Sequence, residues 1–353
     1  MRKEPSKSED RGTMEKEKLY YVEVLRVMAI FFVVFNHTRN LGYSLYTETE
    51  GGFSYWASLS VSILCKIAVP VFFMISGGLL LGKRETLKQL FSKRILRYVA
   101  VILLFTFLQY LRIVRVHPED GFHLTTWMLY CYTGNIIEPY WFLKSYLSML
   151  LILPFLRLLA SVMQKRDYLF LLGIKGVMTL ISLICIYTGY TTNISFPFHV
   201  DIIFYPLTGY FLMNVLEQDM GHLKTKGLAG LLLAFWALAV FQADAFFRHR
   251  GTYVEDFHTV YVWVLAALTV LLAKRIRLRT VAAQKVICAM GSCAFGVYLI
   301  EDVVRNQVQR VVAAMVPFFG RFWTGMVFTL LSVLVSMAVI YLVRKIPLVR
   351  KLI

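Results

Sequence analysis

Ten stretches of this chain are apolar for the length a helix needs to cross a bilayer, and nothing else in the sequence restricts its fold so tightly. A hydrocarbon core about 30 Å thick takes roughly 20 predominantly apolar residues at 1.5 Å of rise each. Segments 19–41, 57–81, 97–114, 140–159, 169–187, 199–216, 228–244, 258–273, 285–303 and 321–343 meet that template within a few residues. Backbone polar groups in hydrocarbon must be satisfied within their own segment. The predicted fold class is therefore all-α, a polytopic integral membrane protein of about ten transmembrane helices. With 58% hydrophobic and 17% charged residues, a water-soluble fold is excluded. The sixth segment is interrupted by Pro206 and Gly209 and reads as a kinked helix packed inside the bundle.

Charge supplies the orientation, because Lys and Arg are retained on the cytoplasmic side. With the N-terminus inside, the cytoplasmic stretches carry 26 basic residues and the outer loops 8, which predicts N-in and C-in. Residues 1–18 are polar and of mixed charge and read as a disordered cytoplasmic tail ahead of a transmembrane domain over 19–353. The first apolar run is too long for a signal peptide and lacks a small-residue cleavage site, so it is expected to be retained. The whole net charge of +17 falls on the cytoplasmic face. What would suggest nucleic acid in a soluble chain is here a topology signal that also suits anionic membrane lipid, and no nucleic-acid partner is expected. The five cysteines form no CxxC pair, metal-ligand spacing or disulfide framework. They read as small packing residues, and no metal is expected.

Ionisable groups at membrane depth are costly, so each is a candidate for function. They are Glu23, Arg26, His37, Lys66, Lys144, Lys175, His199, Asp201, Glu301 and Asp302. Helical periodicity puts Glu23, Arg26, Ile30, Val33 and His37 on one stripe, which must face protein or water. Glu23 and Arg26 also have the i,i+3 spacing of an ion pair. His37 either serves chemistry or hydrogen-bonds a neighbouring helix. Lys93, Arg94 and Arg97 fall on adjacent helical positions facing the cytoplasm; retention on that side explains them, and so would gripping phosphates. Pro70, Ser76, Gly77 and Gly78, just after Lys66, suit a bend and a close helix crossing. Lys144 and Lys175 are expected to snorkel or to pair with a buried acid, pairing being favoured for Lys144. Glu301 and Asp302 are expected to be solvated at the outer end of the ninth helix, and residues 123–132 to form a short helix on the outer face.

Five segments together resemble the membrane acyltransferase type 3 family. Glu23-Val24-Leu25-Arg26 followed by His37 is similar to the family's acidic-x-Leu-Arg opening with a histidine eleven residues beyond the arginine. Residues 69–77 (VPVFFMISG) look like its Phe-Phe-x-x-Ser-Gly block, and 93–97 (KRILR) like its basic entry to the third helix. Trp141-Phe142-Leu143 with Pro154 resembles its Trp-Tyr-Leu…Pro helix, and 294–301 (AFGVYLIE) its Ser-Phe-x-Ile-Tyr-Leu-x-His segment. Order and spacing make the set specific. Two departures stand out: Glu301 occupies the usual histidine position, and Gly78 replaces the usual aromatic.

The resemblance implies an O-acyltransferase of a bacterial plasma membrane that takes an acyl group, usually acetyl, from cytoplasmic acyl-CoA and delivers it to a hydroxyl of a surface polysaccharide. The family's catalytic histidine maps onto His37, assisted by Glu23 and Arg26, and its donor-binding basic residues onto Arg94 and Arg97, with Lys93 beside them. Trp141, Lys144 and Glu301 are the acceptor-side candidates. His37 would act as a general base or carry the acyl group itself. No nucleophile elbow accompanies it, which disfavours a Ser-His-Asp arrangement. The alternative class is a transporter or flippase for a saccharide or lipid-linked saccharide, which should show internal repeats that this sequence does not display.

Overall fold

Helix occupies each of the ten apolar segments. The computed structural model describes residues 7–133, 136–194, 196–216, 224–251 and 257–352, and among them it is 86% helix with no strand. In chain order the helices are α1 (Lys7–Asn36), α2 (Gly52–Cys65), α3 (Ala68–Leu80), α4 (Leu87–Leu90), α5 (Leu96–Val116), α6 (Leu124–Thr133), α7 (Trp141–Val162) and α8 (Lys165–Thr188). There follow α9 (Asp201–Tyr210), α10 (Thr225–Arg250), α11 (Phe257–Val260), α12 (Val262–Ala273), α13 (Val281–Val312), α14 (Val316–Val343) and α15 (Pro347–Leu352). Six helical stretches among the described residues are long and apolar enough to cross a membrane. Of the N-terminal tail, residues 1–6 lie outside the described residues.

Which faces are buried follows the same logic. Phe155, Leu158, Phe170 and Leu180 on α7 and α8 point outward, while Ser58, Ser62, Thr324, Thr329, Ser332 and Ser336 are buried between helices. An apolar exterior is what hydrocarbon demands, and small hydroxylated residues inside let helices approach closely.

Local irregularities have identifiable causes. Pro70 has no N–H for the carbonyl four residues back, and its ring crowds that carbonyl. The second apolar segment accordingly breaks at Lys66, where tight i→i−3 bonds (Lys66 N to Ile63 O, 3.3 Å; Ile67 N to Leu64 O, 3.2 Å) join α2 to α3. The sixth segment contains Pro206 and ends in a π-helical stretch, Phe211–Val215. Here α3 and α9 meet backbone to backbone. A Cβ added at Gly77 would lie 1.9 Å from the Pro206 carbonyl oxygen, and one at Gly209 would lie 2.0 Å from that of Met74. The Ser-Gly of the 69–77 block is thus a crossing point, and its side of the bundle admits no larger residue. The short helix expected at 123–132 is α6.

Candidate functional site

His37 follows the last residue of α1, its N–H bonded to the Val34 carbonyl at 3.1 Å. The chain then turns sharply. The Thr38 hydroxyl donates to the Phe35 carbonyl (2.7 Å) and accepts the Tyr43 N–H (2.9 Å), and Arg39 adopts a left-handed φ of 48°. These contacts hold the imidazole at a defined place beyond the helix end.

Its partner is Glu301, on α13. Nδ1 of His37 lies 2.8 Å from Oε1 of Glu301, at ion-pair distance but off the line of a straight hydrogen bond. Glu301 is fully buried, which overturns the expectation of a solvated outer helix end. The reason is helix length: α13 continues past the predicted end at residue 303 to Val312 and brings Arg305 one turn from Glu301 and Asp302. Nε of Arg305 is 3.7 Å from Glu301 Oε2, Nη2 donates to Asp302 Oδ1 (2.8 Å), and Nη1 donates to the His37 carbonyl (2.7 Å). Asp302 also accepts from Arg112 Nη1 at 2.6 Å. One guanidinium therefore ties both the backbone of His37 and the carboxylate facing its ring.

Two cavities meet at this histidine. The larger, about 1430 Å³, is lined by Lys83, Lys93, Arg94 and Arg97, by Arg26, Ser76 and Tyr98, and by His37 and Trp141. Arg26 and His37 are eleven residues apart on one helix, so the cavity extends at least ~16 Å along the bundle. The smaller, about 440 Å³, is lined by Arg39, Tyr43, Ser44, Asp302 and Arg305 on the side of the α1–α2 connection. Asn36, His37, Lys66, Glu138 and Pro139 line both.

At the basic end the geometry is different from the one expected. Lys93 and Arg94 lie in a π-helical stretch, Phe91–Ile95, and Arg97 in the first turn of α5. Arg94 grips Glu85 with Nε (2.9 Å) and Nη2 (2.6 Å), and Glu85 accepts from Arg157 Nη2 (2.9 Å), whose Nε is held by the Leu80 carbonyl (3.0 Å). These guanidinium contacts, Arg94 first, hold the Glu85 carboxyl down at about 2. Arg97 Nε donates to the Leu352 carbonyl at 3.2 Å. All three basic residues still line the large cavity, but Arg94 presents only the edge that Glu85 leaves.

The remaining candidates divide. Glu23 pairs with Arg26 at 2.5 Å and packs against α13, where a Cβ at Gly291 would fall 2.1 Å from its Oε2; it lines neither cavity, whereas Arg26 lines the large one. Trp141 lines the large cavity, and Lys144 lines neither. Lys144 donates instead to the carbonyl of Tyr132 on α6, so the pairing with a buried acid expected for it does not form. Lys175 is buried with its ammonium 4.8 Å from the Phe204 ring centroid, in the large cavity with Asp201. The His199 side chain lies outside the described residues. Arg305 and Arg112, which the candidates drawn from the sequence do not include, complete the network around Asp302. The i,i+4 and i,i+3 spacings of Glu301 and Asp302 to Arg305 were the sequence signal for the network.

The model of an acyltransferase domain family matches residues 19–345, nearly the whole chain, and the protein belongs to this acyltransferase 3 family. It is an acyltransferase of the membrane-embedded kind. No curated protein and no solved structure matches the chain.

Proposed function

We propose that this acyltransferase moves an acyl group, acetyl in the first instance, from cytoplasmic acyl-CoA to a hydroxyl of a saccharide at the outer face of the plasma membrane. In this reading the bundle has about ten spans with both termini in the cytoplasm. The observation that carries it is the position of His37, on the wall of both cavities, one of which has the basic residues at its other end. A cavity of about 1430 Å³ exceeds the ~300–1,000 Å³ of ordinary small-molecule sites, which suits an elongated donor. Lys93, Arg97 and the free edge of Arg94 would take the donor's phosphates, and the stretch past Arg26 its neutral arm.

With Nδ1 turned to Glu301, Nε2 of His37 is the nitrogen left for the reacting hydroxyl. It accepts the hydroxyl proton as the oxygen attacks the thioester carbonyl. A C–O bond forms, the C–S bond breaks, and the leaving thiolate takes the proton back from the imidazolium. Glu301 and the carbonyl end of α1 stabilise the positive charge that develops on the ring in between. Direct transfer is favoured over an acyl-histidine because the smaller cavity gives an acceptor its own approach to the same histidine.

The test is surface-glycan acylation, read by mass spectrometry, in cells making His37→Gln or His37→Ala at normal membrane levels. Loss of acylation by roughly 10²–10⁴-fold is expected, the usual range for a general base. Full activity would overturn the assignment.

A further inference from the structure

Lys66 is an intramembrane cation that the mechanism above leaves without a task, and it lines both cavities. It stands at the break between α2 and α3, fourteen residues from Gly52 and fourteen from Leu80, so it lies about 21 Å from either end of the helix pair. A break at mid-depth with a charged residue on it is a recurrent way to build a binding site inside a bundle, because irregular backbone there is tolerated only where it lines a cavity or is covered by protein. Lys66 satisfies that condition twice, since it lines both cavities beside Asn36 and His37.

The charges around the smaller cavity do not cancel. Its cations are Arg39, Lys66 and Arg305, and its carboxylates are Glu138 and Asp302. Arg305 is paired with Asp302 at 2.8 Å and Arg39 with Glu138 at 3.8 Å. No carboxylate among the described residues lies within ion-pair distance of Lys66, whose ammonium sits 5.2 Å from the Tyr43 ring centroid. A ring face offsets part of the cost of a cation at this depth, and an anion would offset more. The donor's phosphates do not supply that anion, because Arg97 precedes Arg112 by fifteen residues on α5, about 22 Å of helix, and it is Arg112 that meets Asp302 on the wall of the smaller cavity. The partner of Lys66 therefore arrives with the acceptor.

Resting on the saccharide-acylation reading above, we infer that the smaller cavity is the acceptor subsite and that Lys66 anchors an acidic group of the acceptor there. At about 440 Å³ the cavity suits a single glycosyl unit carrying a carboxylate or a phosphate. The ring hydroxyls meet the Asn36 and Ser44 side chains, and one hydroxyl faces His37.

Isothermal titration of the full-length protein in lipid nanodiscs, without acyl donor, tests this with methyl β-glucuronide, methyl glucoside 6-phosphate and neutral methyl β-glucoside. The wild type should bind at least one acidic glycoside about tenfold or more tighter than the neutral one, and which of the two wins separates carboxylate from phosphate. Lys66→Met and Lys66→Gln should each abolish the preference, and Lys66→Arg should retain it, with helix content by circular dichroism unchanged in the variants compared. Equal affinities in the wild type would overturn the inference, as would a preference that survives both neutral substitutions. So would unchanged binding in Lys66→Met together with an equal fall in kcat for acidic and neutral acceptors, which would make Lys66 a stabiliser of the developing oxyanion instead. Binding needs no turnover, so failure to acylate any saccharide would sink the reaction proposed above and leave the subsite standing.

Discussion

The two ends of the large cavity hold the same kinds of charge in opposite conditions. At the basic end the Glu85 carboxylate is 21% exposed and faces Arg94 and Arg157; at the other end the Glu301 carboxylate is 1% exposed and faces His37 and Arg305. Around Glu85 water can stand in for any partner, so contacts exchange at little cost and a ligand's phosphates can replace them. The Glu301 carboxylate is shielded from bulk solvent, and removing one partner leaves a buried charge exposed to the desolvation penalty. The first arrangement suits an end that must bind and release a charged donor, the second an end that must hold one ring in one orientation.

That contrast is tested most severely at Glu301. Glu301→Gln keeps the shape and removes the charge facing the imidazole. A charge-assisted contact that straightens as the ring takes its proton in the transition state is worth ~1.5–3 kcal/mol, so kcat should fall by roughly 10- to 150-fold. The donor KM should stay the same, because the basic end is untouched. Steady-state kinetics on the purified protein would read the split. A rise in KM with kcat preserved would show that Glu301 serves binding, and the two ends would then not differ in kind.

How much of this was legible in the sequence follows the physics of each signal. The helices were readable because apolar runs of spanning length have a single structural solution in hydrocarbon, whereas the residues alone left His37 open between chemistry and packing, and only the resemblance of its spacing from Arg26 to the family's opening motif made it a candidate. The partnership of His37 with Glu301 was not readable, since it joins α1 to α13 and depends on how two distant helices pack. Glu301 looked like a departure from the family pattern, although its carboxylate supplies the ring's partner. The end of α13 was misjudged because Arg305 and Arg310 lower local hydropathy, yet Arg305 stays within the helix through its pairing with Asp302 and Glu301. The basic run at 93–97 was visible as charge, but the diversion of Arg94 to Glu85 depends on a carboxylate in the turn before α4.

A smaller effect is expected at the basic end. Arg97→Ala should raise the donor KM by about tenfold and leave kcat nearly unchanged, which is the loss of one charge-assisted phosphate contact. Arg94→Ala should raise it less, because its fork is already held by Glu85. Donor titration in nanodiscs would order the two. Unchanged affinity in both variants would return the cluster to a topology signal and leave the cavity's donor end without an anchor.

The smallest effect belongs to Glu85 itself. Its carboxyl is held at about 2, below its ordinary 4.5, chiefly by Arg94. A group depressed in the folded state contributes stability that is fully present above its ordinary value and is lost as the pH falls toward the folded one. Glu85→Gln should therefore lower the thermal midpoint of the detergent-solubilised protein by a constant amount from about pH 8 to about pH 5, corresponding to no more than ~1 kcal/mol for a partly exposed pair. Between about pH 4 and pH 3 the wild type should approach the variant. A gap that closes above about pH 5 would mean that Arg94 and Arg157 do not hold the carboxylate, so that Arg94 is free for the donor. Arg94→Ala should then cost as much donor affinity as Arg97→Ala, and the two measurements together decide how the basic end shares its guanidinium groups between the fold and the ligand.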